Sequence, residues 1–223
     1  MQGGVPQQWH WRFYLEGPSL PGLRPLLDAI NLAYIAVPWG NPFVGGGGYE
    51  LAATSDLNLF RSATVWPRAF FVDRVVPYAT LPELLEWIQQ AEGHPLAAVA
   101  QAEVPPRAPT GDLAGRTAQA AATYAFSTNS TAFTLDAPRA GVAVLTEAYM
   151  PGAFRVTING APAPYFRVNH AFKGVVLPAA GRYRITFTYQ PKVLNLSLGL
   201  AAAGLGLGLA ALFAARHPRP LTP

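Results

Sequence analysis

Residues 153–191 read AFRVTINGAPAPYFRVNHAFKGVVLPAAGRYRITFTYQP, and this stretch decides the fold class. Near its end, Tyr183, Ile185, Phe187 and Tyr189 fall on one side of an extended chain, and Arg182, Arg184, Thr186 and Thr188 on the other. A period of two is the mark of a strand with one buried face. Phe154, Val156 and Ile158 alternate in the same way with Arg155, Thr157 and Asn159. Asn159-Gly160 then predicts a two-residue hairpin turn, because both residue types accept the positive φ of a type I′ turn. Pro162 and Pro164 cannot donate to a central ladder and place the returning strand at an edge.

Working back toward the N-terminus, Gly141–Tyr149 is a more continuously apolar strand. Tyr124 with Phe126, and Phe133 with Leu135, alternate with small or polar neighbours. Six or seven short strands with turn residues between them predict a small β-sandwich-like domain over 118–191. The Pro-rich segment 104–117, with Pro105, Pro106 and Pro109, reads as a linker or long connection. Residues 1–103 read as a small α+β region. It holds a helix over Arg24–Asn31, a strand over Leu32–Val37, a loop over Pro38–Gly48 with four consecutive glycines, and strands at Tyr49–Ala53, Leu57–Arg61 and Ala69–Val76. Thr80-Leu-Pro-Glu83 is a capping-box pattern that opens a helix through LLEWIQQAE, stopped at Gly93. The fold class is therefore mainly β with some α.

Working forward, Val193–Ala215 reads VLNLSLGLAAAGLGLGLAALFAA without a charged side chain. At 1.5 Å per residue such a helix is about 34 Å long, and a hydrocarbon core is about 30 Å thick. Core helices of soluble proteins are usually shorter and carry a polar face, so the stretch is expected to span a membrane. Arg216, His217 and Arg219 in the tail 216–223 favour a cytoplasmic tail and an extracytoplasmic body, although Lys192 on the other flank weakens the asymmetry. Met1–Glu16 lacks the pattern of a signal peptide. Two expectations follow: the chain is the C-terminal piece of a larger membrane protein, or it is tail-anchored with a cytoplasmic body.

Composition narrows the function classes. The chain has 223 residues, 13% of them charged, and a net charge of +4. The basic residues are scattered and nearly all arginine, with no basic block interleaved with aromatics, which argues against nucleic-acid binding. There is no cysteine, which excludes disulfides, thiol catalysis and Cys–zinc sites. His10, His94, His170 and His217 lack metal-ligand spacing, and neither Asp-x-Asp nor Gly-x-Ser-x-Gly occurs. No catalytic residue, metal site or cofactor is indicated.

Three features remain. Glu147, Tyr149, Asn169 and His170 lie near turns of the sandwich and could contact a glycan, since aromatic, amide and carboxylate groups stack on and hydrogen-bond sugars. The structural alternative, commoner for such residues, is that Tyr149 packs in a turn and Asn169 caps a bend. Gly204 and Gly208 form a GxxxG pattern for close packing by another helix, although glycine is also simply frequent in spans. Asn129-Ser-Thr131 is a formal glycosylation sequon that a polar turn explains equally.

Several segments together resemble the C-terminal part of the YfhO-type family of bacterial multi-spanning membrane proteins. They are LLDAINLAYIAV, VWPRAFFVD at Val65–Asp73, and TEAYMPGAFRVTINGAPAPYFRVNHAFKGVVLPAAGRYRITFTYQP at Thr146–Pro191. The family's pattern there is an aromatic-Pro-Gly turn, an Asn/Asp-Gly hairpin, an Asn-x-Ala-Phe-x-Gly-Val element and a Pro-x-x-Gly turn before the final strand, and the chain has Tyr149-Met150-Pro151-Gly152, Asn159-Gly160, Asn169–Val175 and Pro178–Gly181 at these places. One departure is that Ala153-Phe154 follows Pro151-Gly152 where the family commonly has Trp. The resemblance implies a glycosyltransferase-like parent that uses lipid-linked sugar to modify envelope polymers. Its catalytic acid lies in an early external loop that is not among these residues. This chain would then be an extracytoplasmic accessory domain plus the last transmembrane helix, in the bacterial cytoplasmic membrane, and not catalytic alone. Its partners would be membrane lipid, lipid-linked sugar or envelope polysaccharide, and the parent's other transmembrane helices. The alternative is a stand-alone membrane-anchored β-sandwich binding or scaffold module without catalysis.

Overall fold

Three layers organise the body, and hydrophobic patterning explains which strand lies where. The computed structural model describes residues 20–39, 48–91, 93–191 and 193–216. Most of the expected glycine loop at 38–48, the segment 1–16, Lys192 and the tail beyond Arg216 lie outside the described residues.

Helix α1 (Leu20–Ala29) comes first, followed by β1 (Tyr34–Pro38), β2 (Tyr49–Thr54) and β3 (Leu57–Ser62), which form a three-stranded sheet in the order β1-β3-β2. Asp28 fastens α1 to the end of β3. Ser62 Oγ donates to its Oδ1 at 2.5 Å, Thr64 Oγ1 donates to its Oδ2 at 2.6 Å, and the Trp66 amide donates to its backbone carbonyl at 3.1 Å. A buried carboxylate needs such donors to offset its lost hydration.

β4 (Ala69–Val72) and β5 (Val76–Tyr78) replace the single strand expected over Ala69–Val76. The break falls at Asp73, whose carboxylate accepts from Arg74 and from the Thr117 amide at 3.0 Å. Past it the chain leaves one sheet for another. Helix α2 (Leu81–Gln89) begins with the expected capping box: the Glu83 amide donates to Thr80 Oγ1, and the Glu83 carboxylate accepts from the Thr80 amide. β6 (Ala98–Ala100) pairs parallel with β5. The 104–117 connection is tied to the body. Val75 exchanges backbone hydrogen bonds with Pro109 and Gly111, and the Arg116 guanidinium donates to the carbonyls of His94, Pro95 and Leu113.

The remaining strands are β7 (Ala118–Ala120), β8 (Ala122–Phe126), β9 (Ser130–Ala137), β10 (Gly141–Leu145), β11 (Phe154–Ile158), β12 (Ala161–Pro162), β13 (Phe166–Val168), β14 (Phe172–Leu177) and β15 (Gly181–Tyr189). They and β4 build two antiparallel five-stranded sheets, β13-β14-β10-β4-β7 and β12-β11-β15-β9-β8. The first is the inner sheet, the second the outer. β4, from the segment before residue 104, pairs with β10, with Val72 opposite Val142.

The sheets face each other through Phe71, Leu145, Val175 and Leu177 on one side and Phe133, Val156, Ile185 and Phe187 on the other. The opposite face of the inner sheet presents Phe70, Val72, Val142 and Val144 to Trp66 and to α1 and α2. Both faces of β4 and β10 are therefore covered, and all their residues are buried. Each large apolar side chain so enclosed contributes roughly 1.5–3 kcal/mol. This explains why β10 reads as a continuous apolar run, whereas β15, with one face wet, alternates. Asn159 (φ 51°) and Gly160 (φ 85°) both adopt the left-handed region at the β11–β12 turn.

Helix α3 (Leu194–Arg216) follows β15. Its stretch Leu196–Phe213 has a mean hydropathy of 2.0, and none of it is buried against the rest of the chain. It is long and apolar enough to cross a membrane, which is consistent with membrane anchoring. A Cβ added at Gly204 or Gly208 would meet nothing within 4 Å.

Candidate functional site

The inner sheet carries one charged side chain into the inter-sheet core. Phe172 points to the helix layer, so its neighbour Lys173 points the other way, and it is fully buried. Its ammonium lies 3.7 Å from the centre of the Phe154 ring and 5.1 Å from that of Phe187. Aromatic faces attract a cation, the more so where water is excluded. The Lys173 ammonium donates to Glu147 Oε2 at 2.9 Å.

Glu147 follows the end of β10 and bridges the two sheets. Its Oε1 accepts from Arg68 at 2.8 Å and from Thr131 Oγ1, on β9, at 2.9 Å. Burial pushes its carboxyl pKa up, but the Lys173 charge and the hydrogen bonds from Lys173, Arg68 and Thr131 outweigh burial and hold it below the ordinary value. Burial drives the Lys173 pKa down against the opposing pull of Glu147. Arg68 in turn lies 5.1 Å from the Phe126 ring centre.

Glu147 lines a pocket of ≈ 230 Å³ with the 127–131 loop, Phe154, Phe187 and Tyr189. The Ser127 and Ser130 hydroxyls lie 2.7 Å apart at its edge, and Tyr189, 44% exposed, stands at its mouth. Tyr189 ends β15 and α3 starts at Leu194, so the pocket opens near the apolar helix. A carboxylate has room for about four hydrogen bonds, and three are filled here. With one acceptor site free, hydroxyls nearby and an aromatic face at the mouth, the pocket suits a hydroxyl-rich ring. Held ionised by three donors, Glu147 accepts hydrogen bonds and has no proton to give.

The other glycan candidates sit elsewhere. Asn169 (φ 48°) is fully buried in the turn after β13. Its Nδ2 donates to the Leu96 carbonyl at 2.8 Å and its Oδ1 accepts from the Ala98 amide at 2.7 Å, so it ties this turn to β6. His170 (φ 65°) lies half-buried with Nδ1 3.5 Å from the Tyr78 hydroxyl. Burial, then the Arg167 charge, lowers its pKa. Tyr149 packs against Tyr165 at 5.5 Å and lies 6.0 Å from the Arg167 guanidinium, which is paired with Glu103. Tyr149 and His170 thus gather around Arg167, while Glu147 belongs to the pocket. Tyr165 contacts both Tyr149 and the pocket residue Phe154.

A wider open cleft of ≈ 720 Å³ runs along β7, but Arg116 on its wall is committed to three backbone carbonyls. Among the described residues no group of three or more His, Asp or Glu side chains could hold a metal ion. Lys173, Arg68 and Thr131 escaped sequence reasoning. The available signal was a lysine set within the apolar run Ala171–Leu177, in a chain whose basic residues are nearly all arginine. No protein-family model, curated protein or solved structure matches the chain.

Proposed function

We propose that the chain is the extracytoplasmic, non-catalytic β body and last transmembrane helix of a YfhO-like membrane glycosyltransferase. In this role it covers the active face and helps to position lipid-linked sugar or acceptor polymer. The body lies outside the cytoplasmic membrane, and the tail after α3 lies inside. The observation that carries this reading is the position of the Glu147 pocket, a hydroxyl- and aromatic-lined site at the end of the strand that leads into the apolar helix. A sugar carried on a membrane lipid is presented at that level. The pocket is smaller than the roughly 300–1,000 Å³ of drug-sized sites, which suits one ring rather than an oligosaccharide.

The test uses the full chain in lipid nanodiscs, titrated with a polyprenyl-phosphate hexose and followed by calorimetry. Saturable binding is expected. Tyr189→Ala should weaken it about tenfold, or 1.4 kcal/mol, while the melting temperature holds. Equal binding by parent and variant would remove the pocket from the reading, and binding of the sugar-free lipid with the same affinity would do so too.

A further inference from the structure

The face of the outer sheet that looks away from the core takes no part in the Glu147 pocket's charged cluster, and its register is informative. Arg182 stands opposite Asp136, and Arg184 opposite Thr134. Thr186 lies between Ala132 and Thr157, and Thr188 between Ser130 and Arg155. Because Val156, Ile185 and Phe187 fill the core, the intervening Arg155, Arg182 and Arg184 must all face outward, and all three are exposed. Arg182 lies 4.0 Å from Asp136. Among the described residues, Arg155 and Arg184 have no carboxylate at ion-pair distance. Arg182 and Arg184 are two residues apart on one strand, about 7 Å, and Arg155 sits about 14 Å beyond Arg184 and one strand over. The result is a cationic strip with threonines among the charges.

We propose that this face binds an extended anionic polysaccharide. Its acidic groups would pair with Arg155, Arg184 and Arg182, and its sugar hydroxyls with Thr157, Thr186 and Thr188. Guanidinium forks recognise planar acidic groups well, and three arginines strung along one sheet face match a linear polymer that carries acidic groups along its length. What the strip lacks decides against other polyanions. Side chains that insert into a lipid surface are apolar or aromatic, single-stranded nucleic acid stacks its bases on aromatics, and protein interfaces centre on aromatic anchors. On this face the described apolar side chains are alanines and Pro162. The strip is turned away from Lys173 and Glu147, so polymer binding does not require an occupied pocket.

The experiment measures binding of the full chain, in nanodiscs of zwitterionic lipid, to polygalacturonate, with dextran, single-stranded DNA and phosphatidylglycerol vesicles in parallel. Salt-sensitive binding to polygalacturonate is expected, with little to dextran. Arg155→Gln with Arg184→Gln should weaken it about tenfold or more without lowering the melting temperature. Arg155→Lys with Arg184→Lys should restore part of the loss, and Asp136→Asn should tighten binding. Tyr189→Ala should leave polymer binding unchanged, which separates failure here from failure of the pocket. Parent-like binding by the double glutamine variant would overturn the proposal. So would DNA or anionic vesicles binding as tightly as polygalacturonate with the same arginine dependence.

Discussion

Lys173 and Glu147 are unequal partners, and the inequality can be measured. Lys173 has no exposure, while the Glu147 side chain keeps 22%. Removing one member of a buried pair costs on the order of 3–5 kcal/mol, because the other is left charged and dry. Lys173→Met leaves Glu147 with Arg68, Thr131 and some water. Glu147→Gln leaves Lys173 without its anion, so it should cost more in chemical denaturation. Lys173→Met costing as much or more would contradict this geometry.

The pair also fixes a pH dependence. The Glu147 pKa lies below its ordinary value of 4.5. Its ionised form is therefore worth more in the folded state than in the unfolded chain. That contribution is complete above about pH 4.5 and is lost as pH falls through the folded value. The stability gap between the parent and the double variant Glu147→Gln/Lys173→Met should change between pH 6 and pH 3, with the parent losing more.

At the Asn159-Gly160 turn, a Cβ at Gly160 would meet nothing within 4 Å, so Gly160→Val adds backbone strain and no clash. The expected loss is about 1–3 kcal/mol, read as a lower melting temperature. This turn was legible because its requirement is local. Lys173 was not, because only the pairing of β10 with β14 and the packing of the two sheets bring it to Glu147.

The elements that could be read in advance are those whose signals lie within their own residues. The capping box of α2 needs only Thr80 and Glu83, and Thr80→Ala should cost about 1 kcal/mol. A change in melting temperature no larger than that of an exposed alanine substitution would show that the cap is idle. β15 was legible from alternation alone, because one of its faces meets water. β4 and β10 gave continuous apolar runs, which say that both faces are covered but not by what. β5 and β6 are too short for any period to show, and their parallel pairing depends on α2 folding between them. The split of Ala69–Val76 was hidden for a related reason: the Asp73 carboxylate that ends β4 is satisfied by Thr117, far along the chain. Asn169 shows the same limit, since its amide is committed to Leu96 and Ala98 across the turn.

For the whole molecule, the layering explains why a chain with only 13% charged residues is compatible with a folded body. The inner sheet is enclosed between helices and the outer sheet, whose free face carries Arg155, Arg182, Arg184 and Asp136. The apolar helix starts where β15 leaves the pocket, so anchoring would hold that end of the sandwich at the bilayer. The sidedness of the body is the central claim, since a glycan-positioning role at the outer face requires it. Its most direct test is protease added to spheroplasts expressing the full-length chain with a tag after α3. The account predicts that the body is degraded while the tag, with α3, stays protected until lysis. A body that survives intact until lysis would contradict it.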